Sequence, residues 1–326
     1  MKNVLIATPF FLPVGQEVLD VFENAGLTPI FNKDVISDER QVLSLVNDDT
    51  VAIINASEPV GELVMQAAKG LKVVSSFGAG INAIDVNAAK KHKINVVRAA
   101  GANRNAVADL AIGLMIAISR QITFAEQNLR SGLWKRYIGK SLYRSTLGIV
   151  GFGAIGKEVA KRAKGFEMEI LAFDTFWDTA FAEQYGVERC ELDDLMKRSD
   201  FVSIHVALTP ETRHLINGQR LRFMKPTSYI INTARGDIID ENGLFQVLKE
   251  RAIAGAALDT FSEEPFNANN PLGTLDNVIL TPHIGGDSEE AKNSVSLAAV
   301  RNIVAILSGN RYETLPPWLV YQAPEK

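Results

Sequence analysis

Residues 147–156 read Leu-Gly-Ile-Val-Gly-Phe-Gly-Ala-Ile-Gly, and this stretch decides how the rest of the chain is read. An apolar run leads straight into Gly151, Gly153 and Gly156. A helical pattern follows over 157–164, and Gly165 supplies a stop. That order predicts a buried strand, a tight turn and a helix start. Gly151 permits the turn, Gly153 lets the backbone approach a pyrophosphate, and Gly156 lets helix and strand pack closely. The N–H groups at the helix start then suit phosphate. Eighteen positions after Gly156, the apolar run 170–173 ends in Asp174, whose carboxylate can accept hydrogen bonds from the ribose hydroxyls of NAD. A glycine triplet alone is weak evidence. With strand, helix and distal acid in place it points to a dinucleotide site.

Working outward, strand-like and helix-like pieces alternate on both sides. Before the fingerprint, 4–8, 51–55, 72–76 and 94–98 read as strands, 16–25 as a helix, and Asp85 as the cap of another. The loop Phe77-Gly-Ala-Gly-Ile follows a strand, at the edge where open α/β sheets bind ligands. One long helix is predicted over 105–130, from Val107, Leu110, Ala111, Leu114, Met115 and Ile118 at helical spacing. After the fingerprint, 201–206, 228–233, 254–259 and 278–281 are strands. With 147–150 and 169–173 they make six, the number a full dinucleotide-binding sheet has. A helix over 289–307 and an irregular tail with Pro316 and Pro317 close the chain. Alternation of this kind means parallel sheets covered on both faces.

The 326 residues suffice for two domains, and 47% hydrophobic with 22% charged residues is ordinary for a globular protein. The net charge is −4, and no basic run exceeds Lys90-Lys91-His92-Lys93, so nucleic acid is not expected as a partner. Cys190 is the single cysteine, which excludes an internal disulfide framework and fits a reducing compartment. No metal-ligand spacing surrounds it, and no metal is expected. The apolar N-terminal residues are interrupted by Pro9 and Pro13 and precede no cleavage site, so a first strand is the reading. The run 110–118 is too short to span a bilayer. A cytoplasmic protein with no membrane partner is expected.

Four histidines narrow the search for an acid or base. His92 reads as a solvated surface residue in a Lys-rich helix end, and His214 as part of a turn and helix start. His205 lies inside a strand. His283 follows Thr281-Pro282 and precedes Ile284-Gly285-Gly286, which puts it on a loop at a strand's carboxyl end, where catalytic groups collect. By position His283 leads and His205 follows. Arg235 stands just past the strand 228–233, either in a surface ion pair or as a bidentate donor to a carboxylate. Asp259, Glu263 and Glu264 follow another strand end, as solvated charges or as partners of a histidine.

Five pieces in one order carry a resemblance: Gly-Phe-Gly-Ala-Ile-Gly at 151–156, His-Val-Ala-Leu-Thr-Pro-Glu-Thr-Arg-His-Leu-Ile at 205–216, Asn-Thr-Ala-Arg-Gly at 232–236, Leu-Asp-Thr-Phe-Ser-Glu-Glu-Pro at 258–265, and Thr-Pro-His-Ile-Gly-Gly at 281–286. The chain resembles the D-isomer-specific 2-hydroxyacid dehydrogenases over nearly its whole length. The resemblance implies an α/β protein of two doubly wound parallel-sheet domains. A Rossmann NAD-binding domain, 101–290, is inserted in a flavodoxin-like substrate-binding domain, 1–100 with 291–326. The active site is expected between them, with hinges near 100 and 290.

The resemblance also implies roles. Arg235 holds the substrate carboxylate and polarises the 2-keto oxygen, His283 protonates that oxygen, and Glu264 pairs with His283. Asp259, Thr233 and Ala234 lie by the nicotinamide, with His205, Gly285 and Gly286 also on the cofactor. Ala154 and Ile155 line the pyrophosphate turn. Gly78, Ala79 and Gly80 offer N–H groups to the substrate carboxylate. NAD is the implied cofactor, a small 2-hydroxy or 2-keto acid the substrate, and a homodimer through the long helix the assembly. D-3-phosphoglycerate dehydrogenation and hydroxypyruvate or glyoxylate reduction are the candidate activities. A non-catalytic NAD(H)-sensing protein, as among corepressor relatives, is the alternative.

Three departures sharpen this. Members acting on phosphoglycerate commonly carry an arginine in the loop after the third strand, whereas this loop reads Asn55-Ala-Ser-Glu58, without a cation. The frequent Val-Ala-Glu of the long helix is Val107-Ala108-Asp109 here, read as a packing change. No carboxyl-terminal regulatory extension, and so no serine feedback through one, is expected. Asp174 is followed by Thr175, Phe176, Trp177 and Asp178, so no cation compensates it and a second acid follows, which favours NAD over NADP.

Overall fold

The structure, a computed structural model, describes residues 2–11, 14–311, 316 and 318–324. Pro13 and Pro317, which figured in the reading of the two termini, lie outside the described residues. The chain divides into two compact units, Met1–Asn103 with Ser288–Lys326, and Arg104–Asp287.

In the first unit the strands are β1 (Lys2–Ile6), β2 (Leu27–Phe31), β3 (Thr50–Asn55), β4 (Val73–Ser76) and β5 (Asn95–Arg98). They are all parallel, in the flavodoxin-like order β2-β1-β3-β4-β5. Neighbouring residues of one strand face opposite layers. Ile6, Ile54, Val73 and Val97 meet Ala299, Val300 and Ile303 of the helix Glu289–Leu307. Leu5, Ile53, Val74 and Val96 meet Val64, Met65, Ala88 and Ala89 on the other face. Both faces are covered, which is why these strands are continuous apolar runs. The strand β2 escaped the sequence reading because it carries Pro29. It is an edge strand, paired only with β1, where a missing N–H costs little.

The second unit holds β6 (Thr146–Val150), β7 (Glu169–Phe173), β8 (Val187–Arg189), β9 (Phe201–Ile204), β10 (Tyr229–Asn232), β11 (Gly255–Leu258) and β12 (Val278–Leu280). A last strand, β13 (Leu319–Tyr321), returns to the first unit, antiparallel to β5. The second sheet is parallel, in the order β12-β11-β10-β9-β6-β7-β8. Seven strands therefore replace the six expected. The extra one, β8, is three residues long, too short for any period to show. The order reverses between β6 and β9, so the turn after β6 opens at the topological switch point. Leu147, Ile149 and Ile231 pack on Ala108, Ala111 and Met115 of the helix Arg104–Ser119 and on Val159 and Ala160 of Ala154–Lys164. Val150, Leu171 and Ile230 pack on Leu195, Met196 and Leu244 on the opposite face.

The single helix expected over 105–130 is two, Arg104–Ser119 and Ile122–Arg130, bent by 60°. Gln121 stands between them in the left-handed region, with φ 53°. The chain returning at Gly139 and Lys140 accounts for the break: Lys140 N–H donates to the Ser119 carbonyl at 3.0 Å. The apolar positions that suggested a helix all precede the bend, and Ile122–Arg130 buries none of its residues. Among the described residues no single helix is long and apolar enough to cross a membrane.

Candidate active site

The fingerprint turn is made of backbone. Gly151 has φ 101°, and a Cβ there would lie 2.6 Å from the His205 carbonyl carbon. A Cβ on Gly156 would lie 2.0 Å from the Gly151 carbonyl oxygen. Neither position admits a side chain. Gly153 differs: nothing stands within 4 Å of where its Cβ would be, and it caps Ala154–Lys164 without any side-chain cap bond. The first-turn N–H groups, Ala154 and Ile155 among them, have no carbonyl behind them in the helix, and the helix dipole adds partial positive charge. This is an open cradle for an anionic pyrophosphate.

Beside it runs a groove of about 490 Å³. Phe152, Gly153, Lys157, Asp174, Trp177 and Asp178 line it. Asp174, one residue past β7, accepts from Phe152 N–H at 2.6 Å and from Phe176 N–H at 2.9 Å. Its carboxylate is thus fixed at the rim of the cradle. Asp178 corrects the sequence reading. It is not an uncompensated second acid, because Lys157 Nζ lies 2.5 Å from its Oδ2. Its Oδ1 accepts from Phe181 N–H at 3.1 Å, capping the helix Thr179–Tyr185. The hydrogen bond from Lys157 holds the Asp178 carboxyl below its usual value.

Three neighbouring strands, β9, β10 and β11, end on buried polar atoms with no protein partner: His205 Nδ1, Thr233 Oγ1 and Thr260 Oγ1. Orphaned buried polar atoms are uncommon, and here they line up at the carboxyl edge, where a polar ligand would meet them. Thr260 was not singled out in the sequence. Cradle, rim carboxylate and these atoms together fit NAD. Burial pushes the His205 imidazole down to about 3, and its Nε2 lies 2.8 Å from Ser203 Oγ. Burial therefore disfavours the charged form of His205.

The charged groups gather past β10, β11 and β12. Arg235 follows β10, in a loop that Asn232 ties by accepting from Ala234 N–H at 3.0 Å and donating to the Arg235 carbonyl at 2.9 Å. Among the described residues the half-buried guanidinium makes no ion pair. It donates to the Ala234 carbonyl at 2.6 Å. Burial lowers its pKa, with nearby Glu264 acting the other way. A partly desolvated guanidinium with free donors is arranged for an incoming anion.

His283 Nδ1 lies 2.8 Å from Glu264 Oε2, and Glu264 Oε1 accepts from Phe261 N–H at 3.0 Å. Burial pushes the Glu264 carboxyl up. The hydrogen bonds from His283 and Phe261 outweigh it and leave the carboxyl below its usual value. The His283 backbone is left-handed, with φ 55°. Asp259 holds that loop in place. Its Oδ1 accepts from Thr281 Oγ1 at 2.6 Å and Ile284 N–H at 2.9 Å, and its Oδ2 from Gly285 N–H at 2.8 Å. Asp259 and Gly285 were read as cofactor neighbours; here the Asp259 carboxylate also ties Thr281, Ile284 and Gly285 together. Gly286 follows in the same loop.

The Gly78-Ala79-Gly80 loop belongs to the first unit, past β4. Gly78 N–H is already bonded to the Ser76 carbonyl at 3.0 Å, which leaves Ala79 and Gly80 as the loop's N–H groups without a backbone acceptor among the described residues. In the neighbouring loop Glu58 is buried, and its Oε2 accepts from Ala56 N–H at 2.6 Å. His92 is another correction. Its side chain is only 22% exposed and its Nε2 lies 2.8 Å from Glu62, so it is a paired rather than a solvated residue.

Comparison with known proteins agrees with this geometry. A family model described as the NAD-binding domain of D-isomer specific 2-hydroxyacid dehydrogenases matches residues 112–285. A glyoxylate reductase of Thermofilum pendens is 40% identical over 89% of this chain and 86% of its own length. A D-3-phosphoglycerate dehydrogenase of Methanocaldococcus jannaschii is 39% identical over 97% of this chain, which spans 59% of that relative's length. The apo structure of D-lactate dehydrogenase from Escherichia coli superposes with a TM-score of 0.83 at 29% identity, over 95% of this chain and 98% of that one.

Proposed function

The chain belongs to the D-isomer specific 2-hydroxyacid dehydrogenase family, and from that premise we propose that it reduces a small, unphosphorylated 2-keto acid to the D-2-hydroxy acid and runs the reverse reaction. The observation that carries this is the conjunction past β10–β12 of an Arg235 guanidinium with no ion-pair partner among the described residues and a Glu264–His283 pair. A cofactor sensor has no need of all three. NAD, bound at the fingerprint turn, supplies or takes up the hydride. Arg235 clamps the substrate carboxylate and draws charge onto the 2-oxygen. His283 holds Glu264 through Nδ1, so Nε2 is the atom that delivers the proton to that oxygen and recovers it in the reverse direction. Glu264 fixes the ring through that contact. Ala79 and Gly80 N–H groups are proposed to hold the substrate carboxylate, and Thr233, Ala234 and Thr260 to meet the nicotinamide end of the cofactor.

The substrate class follows from charge. The Asn55–Glu58 loop lacks a cation and buries a carboxylate, which disfavours a second anion on the substrate. The relative named glyoxylate reductase, matched over most of both chains, supports the same choice. NADH oxidation with glyoxylate, hydroxypyruvate and phosphohydroxypyruvate tests it. Turnover on the first two is the expected result. Turnover on phosphohydroxypyruvate alone would overturn the substrate class, and turnover on no keto acid would overturn the enzyme.

A homodimer is part of the proposal. Ile122, Leu129, Leu133, Trp134 and Ile138 stand exposed on one continuous segment, with Trp134 at 84%. An apolar run of this kind marks a protein contact. Sedimentation should report a dimer, and Trp134→Glu with Ile138→Glu a monomer. The cytoplasm is the proposed compartment, on the single buried thiol of Cys190.

A further inference from the structure

The wall of the cofactor groove carries two carboxylates and one ammonium, and these are not equivalent. Asp174 accepts from the backbone N–H groups of Phe152 and Phe176 and, at 3.5 Å, from the Thr175 hydroxyl, and has no cationic partner among the described residues. Asp178 is matched by Lys157, which rises from the first turn of the fingerprint helix. The Lys157 ammonium is gripped from two sides, with Asp178 Oδ2 at 2.5 Å and the Phe181 ring centroid at 5.3 Å. Of the other nearby cations, Arg189 is stacked on the Trp177 ring at 5.4 Å, and Lys161, over the Phe181 ring at 5.7 Å, is paired with Glu158 at 2.8 Å. Lys157 is the one cation among the residues lining the groove.

We propose that Asp178 is a determinant of nucleotide choice, acting by withholding the Lys157 ammonium from the 2′-phosphate of NADP. This deepens the cofactor reading above and rests on it. Asp174 faces a ribose as an unmatched negative charge, which suits free hydroxyls and repels phosphate. A 2′-phosphate would need a cation on the same wall. Lys157 stands there with its charge engaged by an acid 21 positions away. Freed of Asp178, the ammonium could turn to a phosphate with the strength of a charge-assisted hydrogen bond.

The test separates Lys157 from Asp174. Asparagine serves the cap at position 178 as well as aspartate does, so Asp178→Asn keeps the helix Thr179–Tyr185, and Asp178→Ser gives a second capping variant for the same measurement. ADP-ribose and its 2′-phosphate are titrated by calorimetry at low salt into wild type, Asp178→Asn, and Asp178→Asn with Lys157→Ala. Wild type should prefer ADP-ribose. Asp178→Asn should move the affinity ratio about ten-fold toward the 2′-phosphate. Adding Lys157→Ala should abolish that gain. An unmoved ratio in both capping variants overturns the proposal. So does a gain that survives Lys157→Ala, which would place the cation elsewhere. Failure of wild type to bind ADP-ribose overturns the cofactor reading and this one together, whereas intact ADP-ribose binding with an unmoved ratio overturns this one alone.

Discussion

The turn at 151–156 and the strand ends at 235, 264 and 283 share one sheet edge and are built on opposite principles. At the turn, function comes from missing side chains. Two glycines let the backbone close on itself, and a third leaves room in front of a helix N-terminus. At the strand ends, function comes from side chains whose aim is fixed by others. Asn232 ties the Arg235 loop, Asp259 pegs the His283 loop, and Glu264 orients the ring. The first region should therefore fail when an atom is added, and should lose cofactor. The second should fail when an atom is removed, and should lose turnover with cofactor still bound.

The largest separation between the two is expected from Arg235→Gln. It removes the charge that meets the substrate carboxylate and the developing oxyanion. Reduction should lose roughly two to three orders of magnitude in kcat/KM, with the NADH dissociation constant nearly unchanged. A matching loss of NADH affinity, read by fluorescence titration, would mean that Arg235 serves the cofactor. Gly156→Ala should do the reverse. Its Cβ meets a backbone oxygen at 2.0 Å, so something must shift. NADH affinity should fall about ten-fold or more, and stability by roughly 1–3 kcal/mol, as overpacking does. An unaltered Tm and Kd would show that the turn is looser than described.

Glu264→Gln is the finest probe. The Glu264 carboxyl lies below its usual value because His283 and Phe261 donate to it. The pairing is therefore present above the ordinary carboxyl range and is lost as pH falls through the lowered value. Glutamine keeps an acceptor oxygen but does not titrate, so the acid-side fall in rate that Glu264 protonation causes should disappear, with kcat only a few-fold lower near neutrality. An unshifted pH–rate profile would dissolve the pairing.

How much of this was legible in the sequence differs by region in the same way. The turn was readable because each of its parts is local: an apolar run, three glycines and a helix start within ten residues. Parallel strands buried on both faces announce themselves as apolar runs, whereas β8 is too short and β2 carries Pro29. The bend at Gln121 was hidden because its cause, the passage of Gly139 and Lys140 across the end of a helix, lies 18 residues away. Position alone ranked Arg235 and His283 as candidates, and resemblance supplied their roles. Neither could show that Asp259 spends its oxygens on the His283 loop, or that Lys157 neutralises Asp178. Those are pairings of distant residues, and no period or spacing carries them.

His283→Ala tests the division between the two regions most directly, when kcat for keto-acid reduction and the NADH dissociation constant are measured on the same preparation. Loss of the proton donor should cost kcat roughly two to four orders of magnitude, while NADH binding stays within about two-fold of wild type. Near-normal turnover, or turnover and NADH affinity falling together, would contradict the account.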